Sequence, residues 1–191
     1  MKLAKVNIIS NSPYSQGKNY SEDMVPTLKG ENKQDYEKRT WRERCHYTKD
    51  GTIFIPPMQF ANALKVASKY LSIQIPGKGK STYTKNFESG VLVREPLMLT
   101  VNKADVEGEW VFIPSDGIRG SGSRVWKCFP VIREWKGTVT YYIMDDVITE
   151  DVFRTVFQSS GNLIGIGRFR PRNWGWYGCF KQSGDIEWIT Q

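Results

Sequence analysis

The chain of 191 residues predicts an α+β fold of the ferredoxin-like kind, an antiparallel sheet carrying two main helices on one face. Three observations lead there. The segments 57–71 and 149–160 have helical periodicity. Strand patterns precede, separate and follow them, an order that fits helices packed on one sheet. Glycine-rich loops link the later elements. A chain this long removes roughly 70% of its extended surface from water, so residues 1–191 can form one domain with a real core.

Residues 2–10 contain Leu3, Val6, Ile8 and Ile9 and read as a strand. The 12–33 segment is polar and broken by Pro13, Gly17, Pro26 and Gly30; it reads as a long loop or extension, an arm able to reach a neighbour. "RCHYTKDGTIFIP" reads as a hairpin turning at Asp50-Gly51. In "PMQFANALKVASKYL", 57–71, Pro57 suits a first turn, and Phe60, Ala63, Leu64, Ala67 and Leu71 share a face opposite Gln59, Asn62, Lys65 and Lys69. "IPGKGKSTYTKNF" follows as a basic loop, with strands at 90–94 and 109–113. A second basic loop, "SDGIRGSGSR", leads into "VWKCFPVIREW" and "GTVTYYIM", two strands joined near Lys136-Gly137. The helix 149–160 takes Thr149 as N-cap, Glu150 and Asp151 at its positive end, and Gly161 as its stop. "DIEWIT" supplies a last strand.

Net charge is +7 and pI near 9.3, which favours a polyanionic partner. Cys45, Cys128 and Cys179 are too scattered for a disulfide framework or a metal site, and His46 is the only histidine, so no structural zinc and no cofactor are expected. The apolar run at the start is too short for a signal peptide and no stretch approaches a membrane span; the expectation is a soluble cytoplasmic protein without membrane contact.

"LIGIGRFRPRNWGWYGCF", 163–180, concentrates the chemistry. Gly165, Gly167, Gly175 and Gly178 let the backbone approach a ligand, Arg168, Arg170 and Arg172 supply cations, and Trp174, Trp176, Tyr177 and Phe180 supply rings, with no acid among them. A polynucleotide needs these three things: charge for phosphates, faces for bases, and unshielded backbone. A strand turn with core aromatics is the competing explanation, and Trp176 and Phe180 are expected inside while the arginines face outward. Lys78, Lys80 and Lys85 form a second basic group, and Arg119 and Arg124 with Lys127 a third, around Gly120 and Gly122. "GKGKS" is not a phosphate-binding P-loop, because Gln74 stands where its first glycine belongs and no helix opens after it. Catalysis is less well supported: His46 is a lone base, Asp145-Asp146 reads as turn chemistry, and the Ser, Tyr and Lys of "SPYSQGK" have no fixed geometry. No catalytic residue is assigned.

Two segments together resemble the RAMP superfamily, the ferredoxin-like (RRM-like) RNA-binding proteins of CRISPR systems. "IFIPPMQFANALKVA" resembles its strand, Ile-Pro and helix signature, and "GNLIGIGRFRPRNWGWYGCF" its glycine-rich loop after the second helix. The resemblance is nearest to the backbone subunits that polymerise along guide RNA. It implies a protein that coats single-stranded RNA or DNA, forms homo-oligomers along the strand and meets CRISPR effector subunits. The binding residues would be Lys78, Lys80, Lys85, Arg119, Arg124, Gly165, Gly167, Arg168, Arg170, Arg172 and Trp174, with Trp174 stacking on a base. The chain is short for such a subunit, which fits a stripped-down relative carried by a phage or other mobile element. Two alternatives stay open: a metal-independent endoribonuclease using His46, and a phage-encoded mimic that binds protein and inhibits CRISPR complex assembly.

Overall fold

The computed structural model describes residues 1–115, 118, 120 and 122–190. Its elements are β1 (Lys2–Ser10), β2 (Tyr14–Ser15), α1 (Lys33–Thr40), β3 (Thr52–Ile55), α2 (Pro57–Leu71), α3 (Thr84–Gly90), β4 (Val91–Val93), β5 (Leu97–Asn102), β6 (Glu107–Pro114), β7 (Arg124–Ile132), β8 (Lys136–Ile143), α4 (Glu150–Ser159), β9 (Phe180–Gln182) and β10 (Glu187–Thr190).

The fold is α+β with antiparallel sheets. The main sheet runs β10-β1-β8-β4, and β9 pairs with the far end of β1. Alternation in β1 sends Ala4, Val6 and Ile8 inward, and β8 answers with Val139, Tyr141 and Ile143. Onto that face pack α2, through Phe60, Ala63, Leu64 and Ala67, and α4, through Phe153, Val156 and Phe157. The Phe180 ring joins the layers, 5.9 Å from Phe60, 5.7 Å from Phe157 and 6.0 Å from Trp135, at angles aromatic pairs prefer.

Thr149 caps α4 as expected, its Oγ1 accepting from the Val152 amide at 3.4 Å. Gly161 does not stop the helix. The chain continues through one π-helical turn, Ser160–Ile164, and turns at Gly165, whose φ is +68°. The requirement for glycine at 161 is one of space, since a Cβ there would strike the carbonyl of Phe180.

The strands read as joined near Lys136-Gly137 belong to different sheets. β8 lies in the main sheet, while β7 forms a long hairpin with β6, from Glu107↔Val131 to Pro114↔Arg124, extended by β2. Between them Trp135 turns inward and its Nε1 donates to the Ser12 carbonyl at 3.1 Å. The Asp50-Gly51 turn is present, with Gly51 at φ +85° and Tyr47 bridged to Ile53; β3 then pairs with β5, a strand the sequence pattern did not reveal.

The segment beginning at Ser12 is partly interior: Ser12, Tyr14, Ser15 and Gln16 are buried. Farther along, α1 has no apolar stripe. It is held by Asn32, whose Oδ1 accepts from the Gln34 and Asp35 amides, and by Glu37, which binds the Arg44 guanidinium with both oxygens at 2.6 and 3.0 Å. That ion pair serves as a strand would: Glu37 Oε1 accepts from the Cys128 amide at 2.8 Å and Arg44 donates to the Cys128 carbonyl at 3.2 Å, satisfying the β7 edge beyond the end of β2.

Candidate nucleic-acid interface

The segment after α4 folds back over the 13–17 stretch. The Arg168 amide donates to the Ser15 carbonyl at 2.9 Å, the Gly178 amide to Pro13 at 2.7 Å, and the Ile166 amide to Gly178 at 3.0 Å. Gly167, at φ +74°, sits so close to Tyr14 and the Ser15 carbonyl that a side chain would not fit. Phe169 and Trp174 are themselves at φ +50° and +63°, a conformation that non-glycine residues seldom hold. The sequence therefore folds into a tight crossing loop whose centre is fixed and whose tip carries the rings outward.

Arg168 occupies the middle. Its guanidinium carbon lies 3.1 Å from the centroid of Phe129 and 4.2 Å from that of Phe169. Behind Phe129 stands Arg44 at 4.9 Å, and behind Arg44 the ring of Tyr20 at 5.2 Å. Cations and rings thus alternate in a ladder. Arg44 is neutralised by Glu37, but Arg168 has no ion pair among the described residues, and its buried NH1 nitrogen has no hydrogen-bond partner. Burial pushes the Arg168 pKa down to about 10, with Arg44 adding to the fall and Glu109 opposing it. Glu109 is engaged by the Tyr177 hydroxyl, which donates to it at 3.1 Å.

Arg170 and Arg172 continue the charge. Neither has an ion pair among the described residues, the buried Nε of Arg170 is unpartnered, and burial and then Arg172 lower the Arg170 pKa. Arg172 is exposed. Trp174 is 91% exposed and Trp176 62%, so Trp176 is outside the core, while Phe180 is buried as expected. Arg168 is turned inward rather than outward, because Phe129 and Phe169 offer it two faces. The Gly165 amide is used by the Ser160 carbonyl at 2.9 Å, whereas the Gly167 amide has no partner among the described residues.

The start of α2 abuts the same segment. The Tyr14 hydroxyl donates to Gln59 Oε1 at 2.9 Å, and Pro56 and Pro57 leave this helix start without a side-chain cap.

No protein-family model matches the chain, and no curated protein matches it. Among solved structures it is similar to a chain in the cryo-EM structure of the Type III-B Cmr-beta bound to cognate target RNA. The TM-score is 0.52 and the identity 12%, over 98% of this chain and 60% of that one. The likeness is one of fold, and this chain spans less than two thirds of the other's length.

The other cations predicted for the site stand elsewhere. Lys78 and Lys80 are exposed beyond the C-terminal end of α2, and Lys85 is exposed on α3. That end of α2 is roughly 20 Å from its start, at 1.5 Å per residue. Lys78 there acts on Asp145, whose carboxyl is held below its ordinary range first by Asn86, then by the Val147 amide. Arg124 is exposed at the outer end of β7, roughly 15 Å along the strand from Phe129. Arg119 lies outside the described residues. His46 packs at 5.8 Å from Phe54, and burial, then Lys18, lowers its pKa. Tyr14 is fully buried and burial raises its pKa far above the ordinary tyrosine value, so it stays protonated.

Sequence reasoning missed Phe129, Arg44 and Tyr20. Nothing in "VWKCFPVIREW" separates Phe129 from a core residue; only the crossing loop brings Arg168 onto it.

Proposed function

We propose that the protein is a RAMP-like binder of single-stranded RNA that grips the backbone through Arg168, Arg170 and Arg172 and stacks bases on Trp174 and Trp176. The observation that carries this reading is the Arg168 guanidinium, which lies against Phe129 and Phe169 and has no ion pair among the described residues. A folded chain gains nothing from keeping a half-buried cation unpaired beside two further arginines, whereas an arriving phosphate would complete it. The Gly167 amide, without a partner among the described residues, adds a donor to the same region. The two exposed indoles would contribute about 1–3 kcal/mol per stacked base. Likeness of fold to a chain from an RNA-bound complex favours RNA over DNA and supports assembly with CRISPR-type subunits or with further copies along the strand. Binding of this kind tolerates any sequence, because phosphates and ring faces carry no base code.

The test is a titration of nuclease-treated protein into labelled oligouridylate, the matching single-stranded DNA and a DNA duplex, over a series of salt concentrations. Salt-sensitive binding to single strands, tightest for RNA, is expected. Binding to the duplex alone, or to none of the three, would remove the proposal.

A further inference from the structure

The outer half of β7 presents a second feature. On its side away from β6, the strand is satisfied in succession by β2 at Ile132, by the Gln16 amide donating to the Pro130 carbonyl at 3.4 Å, and by Glu37 and Arg44 at Cys128. Outward hydrogen bonding therefore falls on even-numbered residues, as antiparallel pairing with β6 requires. The next such residues are Trp126 and Arg124. Their backbone N–H and C=O groups point the same way and have no partner among the described residues. At this place the strand borders a cleft of about 720 Å3, closed on its other side by Thr27 and the first turns of α1. The cleft lies where one more strand would lie.

Its chemistry narrows the occupant. Phe112 and Trp126 face each other across the hairpin with ring centroids 5.3 Å apart, and they are 48% and 50% exposed. The acids in the wall are largely neutralised: Glu31 by Arg39 at 2.7 Å, Glu37 by Arg44 at 2.6 Å with Lys127 at 3.6 Å. Lys33 and Arg124 have no ion pair among the described residues, against Glu22. Arg124 and Trp126 stand two residues apart on one face with Phe112, so unpaired strand amides, a ring pair and two cations unpaired among the described residues describe the receptor for an extended peptide whose acidic and apolar side chains succeed each other along one face.

We infer that this cleft accepts an acidic segment of a partner protein as an added β-strand on the edge of β7 beside Trp126. Its carboxylates meet Arg124 and Lys33, and its apolar side chains cover Phe112 and Trp126. The inference stands independently of the RNA site, which lies farther along β7 at Phe129.

The experiment measures anisotropy of a fluorescein-labelled peptide of Glu-Thr-Val-Thr repeats (the Glu-Val peptide), which sets Glu and Val on one face, with the 191-residue protein. Its comparisons are a peptide of Lys-Thr-Val-Thr repeats (the Lys-Val peptide) and a Glu-Val peptide N-methylated at alternate amides. The expected result is saturable binding of the Glu-Val peptide at least tenfold tighter than either comparison. Trp126→Pro removes both the outward-facing amide and the ring of this residue, and it should abolish binding. Should that variant not fold, Lys33→Glu with Arg124→Glu should invert the preference towards the Lys-Val peptide. Equal affinity for the N-methylated peptide, no binding at all, or no inversion overturns the inference. So does displacement of the peptide by oligouridylate with loss of RNA binding in Arg124→Ala, which would assign the cleft to the nucleic-acid path.

Discussion

Replacing Arg168 by methionine separates a cation that holds the loop together from one kept for a ligand. The fall of its pKa to about 10 corresponds to roughly 3 kcal/mol against the charged form. Part of the side chain still touches water, which reduces that cost to about 1–2 kcal/mol. The faces of Phe129 and Phe169 return about 1 kcal/mol each. These terms nearly cancel, and an unbranched methionine can fill the slot between the rings. Arg168→Met should therefore unfold in urea with a free energy within about 1 kcal/mol of the parent. Binding behaves differently. Loss of a charge-assisted bond to phosphate removes about 1.5–3 kcal/mol, a weakening of roughly 10- to 150-fold. The plot of log affinity against log salt should become shallower by about 0.7 for a single strand. The assay is anisotropy of labelled oligouridylate across a salt series, beside equilibrium unfolding of the same samples. Unchanged affinity and slope would refute the argument, as would a stability loss above about 3 kcal/mol with binding intact.

Glu37→Ala strands the buried Arg44 and removes the acceptor of the Cys128 amide, so it should cost about 3–5 kcal/mol by urea unfolding; a loss under about 1 kcal/mol would mean that the pair is dispensable. In native protein at mildly alkaline pH, maleimide should modify Cys179 alone, because burial pushes the Cys45 thiol up to about 12 and the Cys128 thiol up to about 11. Bound oligouridylate should slow that labelling, since Cys179 Sγ lies 3.5 Å from the Trp176 carbonyl; mass spectrometry of the adducts tests both points. Arg39, then the Leu28 amide, holds Glu31 from 4.5 down to about 2. A carboxylate with a lowered folded value stabilises above its unfolded value, so this contribution is lost as pH falls from about 4.5 through about 2. Amide exchange over residues 26–39 should rise in that window and lose this dependence in Glu31→Gln.

The main sheet and its two long helices were legible because each follows a simple period. β1 alternates, α2 and α4 carry stripes at helical spacing, and Thr149 is a cap by its chemistry alone. Pattern failed where stability comes from elsewhere. The helix α1 is polar all round and rests on an N-cap and a buried ion pair, and α3 is short and follows a glycine-rich turn. Gly161 was misread because a glycine needed for close approach looks the same in a sequence as one needed to end a helix.

The site divides in the same way. A run of arginines, glycines and tryptophans without an acid is visible in the sequence and marks a cationic segment, since local composition alone sets its charge. Which of those residues share a surface is a matter of long-range topology. Only the fold places Phe129, from another sheet, beneath Arg168, turns Trp176 outward, and sets Lys78 and Lys80 at the far end of α2. Spacing along a chain constrains neighbours within a few residues; contacts between residues far apart are decided by which faces must leave water together.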